Sequence, residues 1–270
     1  MLDTRGGKYR AFLRYLHFFK YIAFAPVRGK FLESYYALMR YLDDVVDGDA
    51  VLSEGYSSES EYLAEKIAFS KNPDKPGDEV DCLMMYCFEL AERFGEDFRT
   101  ETKDILDSLV FDARRRGKGL VFPIEELNHH FHLLDIRGTI RATLKIFKDD
   151  PDKYKILEPL GKACRHQYDI EDFEADIAAG YINISQEEWE LFKIKQEDLY
   201  RRSSPAIASW LLYHAREGMA FLSEHRQIMP QGKFSLLQRA VFKVLYEIPA
   251  RKVFKKILSE ARSQDSEIKS

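Results

Sequence analysis

Cysteine is scarce in this 270-residue chain: Cys82, Cys87 and Cys164 are the only three. They are too few and too scattered for a disulfide framework or a zinc knuckle, which points to a reducing, cytoplasmic compartment. Charge of one sign is lacking too. Lys and Arg number 41 against 45 Asp and Glu, a formal net charge of −4, so nothing favours counterion-releasing contacts and no nucleic-acid partner is expected. Long hydrophobic runs are also missing. The longest candidates, around Tyr21 to Val27 and Trp210 to Tyr213, fall far short of the roughly 18 to 20 apolar residues a spanning helix takes. The N-terminal MLDTRGGKYR has no unbroken apolar segment and cleavage site after it. No secretory signal is therefore expected, and the mature chain is read as the whole chain. Strand-type alternation, internal repeats and low-complexity tracts are nearly absent.

Apolar residues at three- and four-residue spacings are present instead, as in Phe31, Tyr35, Leu38, Leu42 and Val46, and 45% of the chain is hydrophobic. An all-α fold follows. The clearest breaks are Ser53 to Glu61, Lys71 to Glu79, Gly117 to Pro123 and Asp149 to Asp152. Each reads as a loop between helices, and none as a domain linker. The expectation is a single domain over residues 1–260, of about eight to ten helices, followed by a polar tail over 261–270.

Two acidic clusters stand out. In the first, Asp43-Asp44-Val-Val-Asp47, helical spacing puts Tyr36, Arg40, Asp43 and Asp47 in one narrow sector with Asp44 beside it. In the second, Asp169, Asp172 and Asp176 stand at i, i+3 and i+7 on one face of a helix, while Glu171 and Glu174 turn to a solvated side. An acidic run is ordinarily just a wet face. Here Gly48 and Gly180 look like terminating glycines, so the acids crowd helix C-termini, where negative charge opposes the macrodipole by about 0.3 to 1 kcal/mol per group. An arrangement that costs stability in this way suggests a bound cation. Oxygen-only ligands select hard ions, and Mg²⁺ typically uses one or two carboxylates plus waters and substrate phosphates, which suits facing aspartate clusters.

The run beginning at Phe18, FFKYIAFAPVRGKFLESYYALMRYLDDVVDG, resembles the opening of the squalene/phytoene synthase family, whose members join two prenyl diphosphates head to head. LGKACRHQYDIEDFEADIAAGYINIS, from Leu160 to Ser185, is similar to that family's second acidic signature, with Asp172 and Asp176 as the matching pair. Leu133 to Ile146 resembles its small-residue helix, and Gln238 to Ile248 its closing helix with Arg239 and Tyr246. The resemblance implies a single-domain class I prenyltransferase (isoprenoid synthase) helical bundle with a central apolar cavity. It further implies that Asp43, Asp44, Asp47, Asp172 and Asp176 coordinate Mg²⁺ across the cavity mouth, holding the diphosphates of two prenyl substrates. Tyr36 and Arg40 join these as catalytic candidates. Arg165, Asp169, Arg141, Arg239 and Tyr246 are the candidates for gripping the diphosphates.

The chain also departs from that pattern. Arg165, Tyr168 and Glu171 replace the Gln, Asn and Arg usual before Asp172, with Asp169 available to stand in for the Asn. The hydroxyl-rich N-terminal grip is replaced by Arg14, His17 and Lys20, and Arg141 stands where a second glycine is common. Substrate length and product therefore stay open, as does NADPH. So do two other readings, a class I terpene cyclase acting on one prenyl diphosphate and a catalytically silent homologue in assembly or lipid handling. Arg40 has a structural alternative, a salt bridge to Asp43. Arg141 and Lys145 form either a phosphate grip or one solvated basic face. His129, His130 and His132 lack a fourth ligand at zinc spacing and are read as surface or packing residues. Phe18, Phe19 and Tyr36 are either pocket or core, and Asp112 beside three arginines is read as a surface ion-pair patch. The basic segment from Arg251 to Leu258 is a closing helix or a peripheral membrane contact.

Overall fold

Pro26 begins the first helix of the computed structural model, which describes residues 25–267. In chain order the helices are α1 (Pro26–Val46), α2 (Glu59–Lys71), α3 (Glu79–Arg93), α4 (Arg99–Arg115), α5 (Ile124–Phe131), α6 (Arg141–Ile146), α7 (Tyr154–Glu171), α8 (Phe173–Ala179), α9 (Gln186–Leu191), α10 (Pro205–Ile228), α11 (Leu236–Val241) and α12 (Ile248–Glu267). Among the described residues there is no strand, only an isolated bridge between Leu120 and Tyr181. The all-α reading holds. The four expected breaks all coincide with loops or helix ends. The chain gathers into two compact units: one reaches Arg114 and includes Arg137–Pro151, and the other combines Arg115–Ile136 with the residues from Asp152 on.

In the first unit, α1 starts on a proline, whose missing N–H costs nothing there. Its apolar stripe of Phe31, Tyr35, Leu38, Leu42 and Val46 is buried throughout. Gly48, at φ +68°, lies just past its end as expected. Helices α2 and α3 pack on α1, and each opens on a side-chain cap, Ser58 accepting from the Glu61 N–H and Asp78 from the Asp81 N–H. Lys66 of α2, fully buried, is held by Asp78 at 2.7 Å and Asp81 at 2.8 Å. Buried Glu101 of α4 does the reverse, drawing in Lys145 at 2.6 Å and Arg141 at 3.4 Å from α6. These two cations thus form an internal ion cluster, not the solvated basic face. Lys145 is only 8% exposed.

In the second unit, α10 packs against α7 and α12, and α12 also meets α7. Gly218 of α10 makes room for α12, since a Cβ there would stand 2.2 Å from the Phe254 ring. The basic segment from Arg251 lies on α12, where Phe254 is fully buried and Arg251 pairs with the nearly buried Glu247. That face of the helix is packed, while Lys252, Lys255 and Lys256 are exposed. The segment read as a polar tail stays helical as far as Glu267. No described helix is long and apolar enough to cross a membrane. Cys87 and Cys164 are buried, Cys82 is exposed, and all three are free thiols.

Two π-helical segments, His132–Ile140 between α5 and α6 and Phe242–Glu247 between α11 and α12, occupy much of the two stretches that resemble the small-residue and closing helices. A 3.6-residue reading does not reveal them. π segments are uncommon and frequently lie at functional sites.

Candidate functional site

The first acidic box occupies the last turn of α1. Arg40, one turn earlier, bonds Asp43 and also reaches Asp44 Oδ1 at 2.8 Å. The structural alternative for Arg40 is therefore realised, with both neighbours. Asp43 keeps 34% of its side chain exposed. Partial burial, followed by repulsion from Asp47, pushes its carboxyl up to about 7 against the pull of Arg40. Asp112 adds to that repulsion. Asp112 is half-buried. Burial, then Asp43 and Asp44, push the half-buried Tyr36 phenol up to about 12, so it stays a hydrogen-bond donor. Three aspartates with only oxygen donors and excess negative charge fit a hard divalent cation.

The second box differs from the single helical face expected of it. The helix breaks at Asp172 (φ −97°, ψ 3°), which closes α7 and opens α8. Its N–H donates to the Tyr168 carbonyl and its own carbonyl accepts from Asp176, both at 2.8 Å. The break divides the three aspartates. Asp169, 4% exposed, accepts from Arg165 through Nε at 3.0 Å and Nη2 at 2.9 Å. Asp172 and Asp176 remain half-buried, while Glu171 and Glu174 are exposed as expected. Asp176 accepts from Asn183 Nδ2 at 2.9 Å, and Asn183 accepts from buried Arg115 at 2.7 Å. Burial pushes the Asp176 carboxyl up to about 7, with Asp169 and Asp172 adding to the rise and Arg165 and Arg115 opposing it. Burial by itself would weaken the Arg165 cation, but Asp169, Asp135 and Asp176 together raise its pKa. Its guanidinium sits 4.3 Å from the Phe131 ring centre.

The same unit holds a cavity of about 490 Å³ lined in part by Phe131, Asp135, Arg165, Asp169 and Asn183. His166, His214 and Glu188 line it too, and the sequence reading missed all three. His166 Nδ1 lies 2.6 Å from His214 Nδ1, and His214 Nε2 lies 2.7 Å from Glu188 Oε1. Burial and His214 drive His166 down to about 3, keeping it neutral. Burial would raise Glu188, but its bonds to His214 and Ser185 win and hold it at about 2. The only available signal was Ser185 followed three residues later by Glu188, which forms a capping box at the start of α9.

The remaining candidates are more scattered. Arg239 is exposed and donates to the Phe234 carbonyl at 2.9 Å, and Tyr246 lies half-buried in the second π segment. Arg141 is drawn to Glu101. His130 is 3% exposed and packs by Phe131, in keeping with a packing role. Arg14, His17, Phe18, Phe19 and Lys20 lie outside the described residues.

No family model matches the sequence, and no curated protein matches it. Solved structures do. Squalene synthase HpnC from Alicyclobacillus acidocaldarius aligns with a TM-score of 0.68 at 15% identity, covering 93% of each chain. A dehydrosqualene synthase in complex with ligand aligns with a TM-score of 0.56 at 14% identity, over 95% of this chain and 98% of that one. At such identities the likeness is one of backbone course. The chain thus has the all-α isoprenoid synthase fold of the squalene synthases.

Proposed function

We propose that this chain is a Mg²⁺-dependent prenyltransferase that condenses two prenyl diphosphates head to head, farnesyl or geranylgeranyl, to a squalene- or phytoene-type product or its cyclopropyl diphosphate intermediate. One observation carries the reading. Asp43, Asp44 and Asp47 crowd the C-terminal end of α1, and Asp172 and Asp176 stand at and just beyond the break that opens α8, all five half-buried. That arrangement is unfavourable without a cation. The fold shared with a squalene and a dehydrosqualene synthase supports it.

Asp43, Asp44, Asp47, Asp172 and Asp176 would hold the magnesium ions. Bound there, Mg²⁺ supplies positive charge to the diphosphate as it departs. Arg40 and Arg165, each engaged with carboxylates of its own box, would be the side-chain cations that share phosphate charge. Tyr36, its phenol held protonated, offers a donor beside Asp43 and Asp44. Arg115 and Asn183 keep Asp176 oriented. The allylic C–O bond breaks with its electron pair leaving on the diphosphate. The double bond of the second prenyl chain then attacks the cation, and loss of one proton from the former C1 of the ionised chain, taken up by the released diphosphate, closes the ring to a cyclopropylcarbinyl diphosphate.

Incubation of the purified chain with farnesyl or geranylgeranyl diphosphate and Mg²⁺, followed by mass spectrometry, tests this. A product with twice the substrate's carbon count is expected. A cyclic product of unchanged count would make it a terpene cyclase, and absence of diphosphate release from a folded chain would make it a silent homologue. Parallel incubations with and without NADPH read whether a reductant is consumed.

A further inference from the structure

We propose that His166, Asp169 and His214 form a binding site for a divalent metal ion of the zinc class, separate in chemistry from the oxygen-only aspartate boxes. One ligand atom from each of the three lies within 4.8 Å of the others. The two imidazoles meet Nδ1 to Nδ1 at 2.6 Å with their planes crossed at 77°. That spacing is tighter than an ordinary N–H···N bond, and it leaves two nitrogen donors converging on one point. Two nitrogens at Zn–N distances of about 2.0 to 2.1 Å stand roughly 3.3 Å apart in a tetrahedron. A small opening of the two rings would therefore admit the ion.

The surroundings are those of a built site. His214 Nε2 meets Glu188 Oε1 at 2.7 Å. A proton on that nitrogen directs the lone pair of Nδ1 toward His166, the carboxylate–imidazole arrangement that orients metal-binding histidines. Glu188 is itself fixed by the Ser185 N–H at 2.9 Å and hydroxyl at 3.0 Å. Trp210 packs over the His214 ring at 4.1 Å. Both contacts from Arg165 fall on Oδ1 of Asp169, so the other oxygen is available. His214 and Asp169 are each 4% exposed, yet all three ligands border the cavity of about 490 Å³. Two imidazoles and one carboxylate select Zn²⁺ over Mg²⁺, and three protein ligands leave a fourth position for water or a substrate oxygen.

The test uses the full chain, stripped with chelator and titrated with Co²⁺ as a spectroscopic stand-in for Zn²⁺. One equivalent is expected to bind with the intense visible bands of a four- or five-coordinate site. Zn²⁺ should displace it, and millimolar Mg²⁺ should not. His166→Ala and His214→Ala should each weaken binding by 100-fold or more, and Glu188→Gln by about 10- to 100-fold. X-ray absorption of the zinc-loaded wild-type chain reads the ligands directly, which keeps the test decisive if an alanine variant fails to fold; two imidazoles are expected. An oxygen-only shell, the weak spectrum of aqueous Co²⁺, or undiminished binding in folded histidine variants would overturn the proposal. None of these readouts depends on prenyl turnover.

Discussion

Gly180 rests directly on Gly117: a Cβ added to Gly180 would stand 2.6 Å from the Gly117 Cα. Gly180 also lies at φ +81°, and the Gly117 N–H donates to the Ala179 carbonyl at 3.0 Å. This contact closes α8 four residues after Asp176. Gly180→Ala is expected to cost about 2 kcal/mol or more, through both the backbone conformation and the clash. Calorimetry should show the melting temperature falling by about 5 °C or more. An unchanged melting temperature would mean that the 117–120 loop yields freely.

Asp43 makes a pH prediction. Its folded pKa of about 7 lies above the ordinary 3.8, so between these values the folded state binds more protons than the unfolded one. The contribution of Asp43 to stability is therefore full below about 3.8 and is lost as pH rises through about 7. Asp43→Asn should be nearly neutral at pH 4 and stabilising at pH 8 relative to wild type, by on the order of 1 kcal/mol after solvent screening. Denaturant midpoints across this range check the sign. A variant less stable than wild type at pH 8 would contradict it.

Asp43→Asn and Asp172→Asn are each expected to lower turnover of prenyl diphosphate by at least about 100-fold, because each removes a ligand charge from the proposed magnesium site. Helical content and thermal midpoint should stay close to those of wild type. Full activity in both variants would remove the aspartate boxes from the reaction.

Lys66→Met tests the first unit away from any active site. The lysine is fully buried between Asp78 and Asp81, and the Asp81 side chain is itself only 3% exposed. Removing the cation leaves buried negative charge uncompensated, at a cost of about 3 to 5 kcal/mol. Urea titration should show this as a lower midpoint with an unchanged slope. Lys66→Met with Asp81→Leu should recover part of the loss.

The first acidic box was legible because its contacts are local. Arg40, Asp43 and Asp44 meet within about one helical turn, and helical spacing alone brings such neighbours together. The helix class, the loops and the terminating roles of Gly48 and Gly180 were readable for the same reason. The second box was only half legible. Periodicity carries the helix straight through Asp172, whereas the structure breaks there and gives Asp169 to Arg165.

Sequence by itself therefore determined the all-α class, the positions of most helices and the presence of two carboxylate clusters, since each depends on residues a few positions apart. Tertiary structure alone decided which distant groups meet. It paired Glu101 with Lys145, brought His166 to His214, and added Asp112 to the surroundings of Asp43. Those meetings depend on how helices pack and where π segments shift their register, and no local repeat in the chain encodes either.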